Sequence, residues 1–184
     1  IEKKGVHDMK KFLMVATVPS MIGQFNMDNL HILLKLGYEV HVACNFTDTS
    51  VWTPERIRLF KQQLSELGIK YIQVEFARTP YDIAKLIKGY KELRTLIIRE
   101  QYAGIHCHTP VAGMITRLAA HGPKSKVIYT AHGFHFYKGA PLKNWLIYYP
   151  VEKMCSYMTD VLLTINKEDF ALAKSKMKAK RVLY

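Results

Sequence analysis

A doubly wound, parallel α/β sheet is the fold this 184-residue sequence predicts, and three observations predict it. Short apolar runs alternate about six times with stretches of helical spacing, which is the pattern of strands covered on both faces by crossover helices. Gly37 and Gly68 stand where two of the helical stretches stop. Apolar residues make up 49% of the chain, enough to fill the core of one domain of this size.

The elements follow in order. Residues 11–18 (KFLMVATV) read as a buried strand. Residues 25–36 follow as a helix, with Phe25, Leu30, Leu33 and Leu34 at helical spacing. Residues 38–44 are a valine-rich strand, 54–67 a helix and 69–76 a third strand. Residues 81–101 form a long amphipathic helix, whose apolar positions include Ile83, Leu86, Ile87, Tyr90, Leu93 and Ile97. A short strand at 104–108 leads into a helix at 110–120, which opens on a proline. Residues 126–131 are a strand, and 144–158 an aromatic helix with an expected kink at Pro150. Residues 161–165 are a strand, 167–178 a basic helix, and 181–184 the start of another strand. The whole reads as a Rossmann-like sheet with right-handed crossovers. Residues 1–8 read as a tag remnant or disordered extension ahead of the domain at 9–184.

Composition excludes some classes and points to others. No apolar run reaches the roughly 18–20 residues of a membrane-spanning helix. Cys44, Cys107 and Cys155 are an odd number, far apart, with no C-x-x-C pair; they read as buried free thiols of a reducing cytoplasm. The net charge of +12 favours anionic partners. A purely charge-driven nucleic-acid binder is disfavoured, because no groove-reading or RNP-like motif is present.

In doubly wound sheets, ligands bind beyond the carboxyl ends of the strands. Those positions here are 19–24, 45–46, 77–79, 109–110, 132–137 and 166, which bring forward Asn45, Thr109, Tyr137 and Asn166. In the first loop, Gly23 either lets backbone approach a phosphate or simply turns the chain. His106 and His108 share one strand face. They either hydrogen-bond within a half-buried strand or, with His132 and His135, could ligate a metal in a hydrolase; no acidic partner stands beside them, so no metal is expected. The segment 130–137 runs from a strand directly into an aromatic, histidine-rich loop. Gly133 permits a tight turn, His132 can hydrogen-bond a sugar hydroxyl or phosphate, and Phe134 offers an aromatic face to a sugar. The alternative is a packed turn around a satisfied histidine, which suits His135 better.

At these residues the sequence resembles a known family. Gly-Tyr-Glu-Val-His-Val-Ala (37–43), His-Cys-His-Thr-Pro (106–110), Thr-Ala-His-Gly-Phe-His-Phe (130–136), Gly-Ala-Pro-Leu-Lys-Asn-Trp (139–145) and Thr-Ile-Asn-Lys-Glu-Asp (164–169) are similar to the N-terminal domain of family 4 glycosyltransferases. The resemblance is closest to bacterial enzymes of capsular and exopolysaccharide assembly and covers residues 9–184. It implies one half of a GT-B enzyme: an acceptor-side domain facing a C-terminal, donor-binding domain that lies outside this sequence. It implies retaining transfer without a metal or cofactor, from a nucleotide sugar to a saccharide or polyprenyl-diphosphate-linked acceptor. By resemblance, His132 matches the histidine that points at the transferred sugar, and Gly23 the first-loop glycine near the donor diphosphate. The family often carries two adjacent glycines there, whereas Ile22 and Gln24 flank Gly23 here. The family's Glu-x₇-Glu spacing recurs at Glu92 and Glu100, but inside a lysine-rich helix without glycines around them. Glu92 is expected to form local helix ion pairs.

The basic surface gains a candidate role from the same resemblance. Six basic residues oppose three acidic ones over 78–101. Farther on, Lys138, Lys143, Trp145, Tyr148 and Tyr149 combine cations with interfacial aromatics. The expectation is a cytoplasmic protein that contacts the anionic inner face of the bacterial plasma membrane.

Overall fold

The computed structural model describes residues 9–184, so the reading of residues 1–8 lies outside the described residues. Seven strands form one sheet in the order β3-β2-β1-β4-β5-β6-β7, and every neighbouring pair is parallel. The strands are β1 (Lys11–Val15), β2 (Glu39–Cys44), β3 (Lys70–Gln73), β4 (Gly104–His108), β5 (Lys126–Ala131), β6 (Val161–Thr164) and β7 (Arg181–Leu183). The helices are α1 (Pro19–Phe25), α2 (Met27–Lys35), α3 (Pro54–Glu66), α4 (Ile83–Glu100), α5 (Pro110–Ala119), α6 (Leu142–Ser156) and α7 (Lys167–Lys176). The doubly wound prediction holds.

Alternation along β1 shows how the sheet feeds two cores. Leu13 and Val15 enter one, with Leu93, Ile97, Ile115 and Tyr129 from α4, α5 and β5. Phe12 and Met14 point the opposite way, into the other, with Ile22, Leu30, Ile57 and Phe60 from the first three helices. Successive strand side chains face opposite sides, so a near-continuous apolar run serves both.

Three elements differ from expectation, each for a local reason. The stretch expected as a loop at 19–24 is helix: Pro19, whose missing N–H costs nothing at the first helical position, opens α1. The helix expected from Phe25 is broken at Asn26, which is 1% exposed. Its side-chain amide donates to Met21 O at 3.0 Å and its Oδ1 accepts from Asn29 at 3.0 Å. The first of these bonds, together with Asn26 N–H donating to Ile22 O, closes α1, with no glycine or proline in the sequence to signal the break. β3 stops at Gln73 because its one neighbour, β2, ends at Cys44. The chain beyond turns in to bury Val74 and Phe76.

Glu92 also corrects its expectation. Its carboxylate accepts the backbone N–H of Glu75 at 2.9 Å, tying α4 to the segment after β3. Glu100 pairs with Lys11 at 2.7 Å and Arg99 at 2.8 Å. The two carboxylates serve the scaffold.

Candidate functional site

The strand order reverses direction between β1 and β4. The helices after these two strands leave on opposite faces, so a crevice opens beyond their carboxyl ends. Thr17 and Thr109 bridge its floor with hydroxyls 2.7 Å apart, and Thr17 N–H donates to Thr109 Oγ1 at 3.3 Å. Thr109 has φ 66°. A β-branched residue there stores strain of about 1–3 kcal/mol. The Thr17 bridge holds that conformation, and Pro110 starts α5 directly after it.

A chain of histidines rises from the sheet beside this bridge. His106 Nε2 lies 2.8 Å from Thr130 Oγ1, and its ring stands 4.2 Å from that of His108, centroid to centroid. His108 Nδ1 meets His132 Nε2 at 3.1 Å, and His108 Nε2 meets Met14 Sδ at 3.2 Å. His132 is exposed at the end of β5. Burial drives His106 down to about 4 and His108 to about 2, and lowers His132. At neutral pH each ring therefore carries one proton.

Their partners say which nitrogen carries it. A thioether accepts weakly and cannot donate, so His108 carries its proton on Nε2, facing Met14. Its Nδ1 must then accept, and His132 Nε2–H donates to it. This leaves the lone pair of His132 Nδ1 without a partner among the described residues and able to accept a hydrogen bond from a ligand hydroxyl.

These neutral histidines predict an acid transition. Their folded values lie below the ordinary histidine value of about 6.5, so the stability they contribute is full above pH 6.5. It is lost as pH falls towards about 4 for His106 and about 2 for His108. Urea unfolding between pH 7 and 5 should show stability falling by up to about 2.7 kcal/mol per pH unit, the limit for two protons taken up on unfolding. A His108→Gln variant should be shallower by about one proton.

The loop after β5 is packed more firmly than its composition suggests. Gly133 adopts φ 131°. Phe134 is 7% exposed and stacks on Phe136 at 4.9 Å, which corrects its expected role as an acceptor surface. Its N–H donates to Asp169 Oδ2 at 3.2 Å, and Asn166 Nδ2 donates to the same oxygen at 2.7 Å. Asn166 also caps α7 by accepting from Asp169 N–H. Its amide is thus a brace between β6 and the histidine loop, a role that the 164–169 segment gave no way to read.

Other expected residues also occupy different surroundings. Gly23 lies in the second turn of α1, and a Cβ there would run into the Trp52 and Phe60 rings. Close helix packing explains this glycine. Trp145 and Tyr149 are half-buried and set edgewise or tilted around Phe136. They anchor the loop and are not a surface belt, because Trp145 Nε1–H reaches Tyr137 O at 3.2 Å. Tyr148 stacks on His135, with centroids 4.5 Å apart. Asn45 closes a turn by accepting from Thr47 and Gln73. Tyr137, Lys138 and Lys143 are exposed.

A cavity of about 470 Å³ opens beside the Thr17–Thr109 bridge. Ser20, Arg78, Tyr81, Val111, His135 and Tyr148 contribute to its walls. His132 stands outside this lining, joined to it through His108 and Thr109. Among the described residues no group of three or more His, Cys, Asp or Glu is placed to hold a metal ion, and the nitrogens of His108 and His132 point at each other. All three cysteines are buried free thiols.

The glycosyl transferase 4-like family model matches residues 15–166. The chain belongs to that family. EpsD of Bacillus subtilis (strain 168), whose name places it provisionally among glycosyltransferases, is 42% identical over 170 residues, covering 90% of this chain and 40% of the relative. The chain therefore spans about two fifths of the length of this curated relative. Among solved structures, a glycosyltransferase from Rickettsia africae aligns with TM-score 0.62 at 14% identity, over 95% of this chain and 42% of that one. Sucrose-phosphate synthase from Thermosynechococcus elongatus gives 0.61 at 13%, over 95% and 47%. A UDP-GlcNAc 2-epimerase from Methanocaldococcus jannaschii gives 0.58 at 10%, over 95% and 44%. At such identities the structures show the shared fold alone, and that fold carries both transferases and epimerases. Membership in the glycosyl transferase 4-like family rests on the sequence match, which includes both the 106–110 and the 130–136 segments.

Proposed function

We propose that this glycosyl transferase 4-like chain is the acceptor-side half of a retaining glycosyltransferase, which moves a sugar from a nucleotide-sugar donor to a lipid-linked saccharide during surface-polysaccharide synthesis. The observation that carries the reading is His132. It is exposed at the end of β5 beside His108, and its Nδ1, which has no partner among the described residues, supports the reading because it can accept from a sugar hydroxyl. A second domain supplies most of the grip on the nucleotide and the opposite wall of the cleft.

The exposed apolar residues favour a peripheral membrane role over one in bulk solution. Leu142 and Leu146, one helical turn apart on α6, are 73% and 68% exposed. Ile147 is also exposed, and Lys138 and Lys143 flank them. Apolar side chains ringed by lysines suit an anionic bilayer surface. Among the described residues no helix is long and apolar enough to cross a membrane.

The full-length protein decides the reading when incubated with nucleotide sugars and a lipid-linked saccharide. The expected product carries the sugar with its anomeric configuration retained, at a rate EDTA leaves unchanged. Hydrolysis without transfer, abolished by EDTA, would instead favour a metal-dependent hydrolase built on the clustered histidines.

A further inference from the structure

A second cavity, of about 670 Å³, lies at the opposite edge of the sheet from the crevice. Ala103 and Ser125, which line it, directly precede β4 and β5. It opens between the last turns of α4 and the loop that joins α5 to β5, and its volume is that of a small-molecule site.

The lining is basic. Arg94 and Lys124 contribute to it, and among the described residues no acid does. Arg94 is half-buried on α4. Its Nη1 donates to Ala119 O at 2.7 Å and to His121 O at 2.6 Å. These two carbonyls hold the guanidinium over the end of α5 without neutralising it, and among the described residues no carboxylate reaches it. Nε and Nη2 make no hydrogen bond there either, which leaves a fork of two parallel donors. A half-buried cation without a counter-ion is costly, and an anion on its open edge relieves that cost. Lys124 is exposed and pairs with no acid among the described residues.

Gln101 is a second sign that this wall serves a ligand. The ends of α2 and α3 pass into Gly37 and Gly68 at φ 79° and 72°, where glycine turns the chain without strain. The end of α4 instead uses Gln101 at φ 53°, a conformation that a side chain penalises. Gln101 lines the cavity, and its side-chain amide makes no hydrogen bond among the described residues. An amide can donate to a phosphoryl oxygen and accept from a hydroxyl. Ile98, 54% exposed, and Pro123 supply an aliphatic surface beside it.

We propose that this cavity binds a small, soluble phosphate monoester. The phosphoryl group sits on the open edge of Arg94 and on Lys124, two cations for a group of nearly two negative charges. The organic part lies over Ile98 and Pro123, with a hydroxyl at Gln101. The site is separate from the crevice beyond β1 and β4 and does not depend on the function proposed above.

The test is isothermal titration of the 184-residue chain in about 150 mM salt, with glucose 6-phosphate and glucose as probes. Glucose 6-phosphate is expected to bind at least about tenfold more tightly than glucose. Arg94→Gln should weaken it about tenfold, and Arg94→Lys, which keeps the charge and loses the fork, about threefold. Lys124→Ala should weaken it about threefold with an unchanged thermal melt, which separates lost binding from a loosened end of α5. Arg78→Ala, which removes a cation from the crevice cavity, should leave the affinity unchanged. Binding lost in Arg78→Ala and kept in Arg94→Gln would move the anion to the crevice and overturn the assignment. Glucose 6-phosphate no tighter than glucose would overturn it as well; phosphatidylglycerol vesicles that then sediment the wild type but not Lys124→Ala would give the charge to lipid headgroups.

Discussion

His132→Ala in the full-length enzyme is expected to lower kcat/KM for sugar transfer about 100- to 1,000-fold, corresponding to about 3–4 kcal/mol of transition-state stabilisation, while nucleotide-sugar affinity changes less than threefold. The size is that of the hydrogen bond proposed above, if made in a desolvated cleft to the sugar undergoing transfer. Its sense follows from the tautomer. Met14 Sδ fixes the proton of His108 on Nε2, so His108 Nδ1 holds the Nε2–H of His132, and Nδ1 is what His132 offers to the substrate. Asparagine places an amide oxygen close to where Nδ1 stood, whereas glutamine places its amide near Nε2. His132→Asn should therefore retain at least tenfold more activity than His132→Gln. Protonating His132 converts its acceptor into a donor. Its burial-lowered value thus predicts activity that is flat through neutral pH and declines on the acid side, below the ordinary histidine range. A decline on the alkaline side would show that the imidazolium is the active form. Nitrogen NMR of histidine-labelled protein reads the same assignment directly, since Nδ1 of His132 should be the unprotonated nitrogen. Equal activity in wild type and His132→Ala would remove the residue from the mechanism.

The difference between what the chain reveals by pattern and what it conceals is visible in these same residues. Alternating runs of apolar residues, Pro at the starts of α1, α3 and α5, and Gly37 and Gly68 after two helices are local signals, and from them the layer order and the strand ends can be read. The histidines of β4 could be placed on one face because strand periodicity is strict. What no local pattern contains is the partner. Met14 stands 94 residues before His108, Asp169 is 35 after Phe134, and Trp52 is 29 after Gly23. Each contact changes the meaning of a motif: the first fixes a tautomer, the second turns an apparent ligand loop into a braced turn, and the third turns a phosphate-loop glycine into a packing glycine. Trp145 and Tyr149 mislead for a related reason. Aromatics beside lysines fit an interface or a core equally well, and only the position of Phe136 decides between them. The most exposed apolar residues of α6, Leu142 and Leu146, are plain aliphatics, which composition alone does not mark out.

Glu152→Ala is expected to cost the fold about 3–5 kcal/mol and lower Tm by roughly 6–20 °C, the largest stability effect of any single substitution considered. Glu152 Oε2 accepts from Arg117 Nη1 at 2.8 Å, and Oε1 accepts from Tyr129 O–H at 3.3 Å. Arg117 is 1% exposed, its Nε donates to Gly113 O at 2.9 Å, and its guanidinium lies 3.9 Å over the Tyr129 ring. Nη2 is already without a partner among the described residues, so removing the carboxylate strands a full positive charge in the core. The penalty is that of the stranded charge rather than the worth of the pair, because two desolvated ions recover little more than their lost hydration. The double variant Glu152→Leu/Arg117→Met should accordingly recover at least half of the lost stability. A single variant losing under 1 kcal/mol in urea unfolding would mean that water reaches the guanidinium. The pair also bears on the cavity beside the Thr17–Thr109 bridge, because Pro110 and Val111 at the start of α5 and Tyr148, one turn before Glu152 on α6, line it. Arg117 and Glu152 join those two helices behind the site.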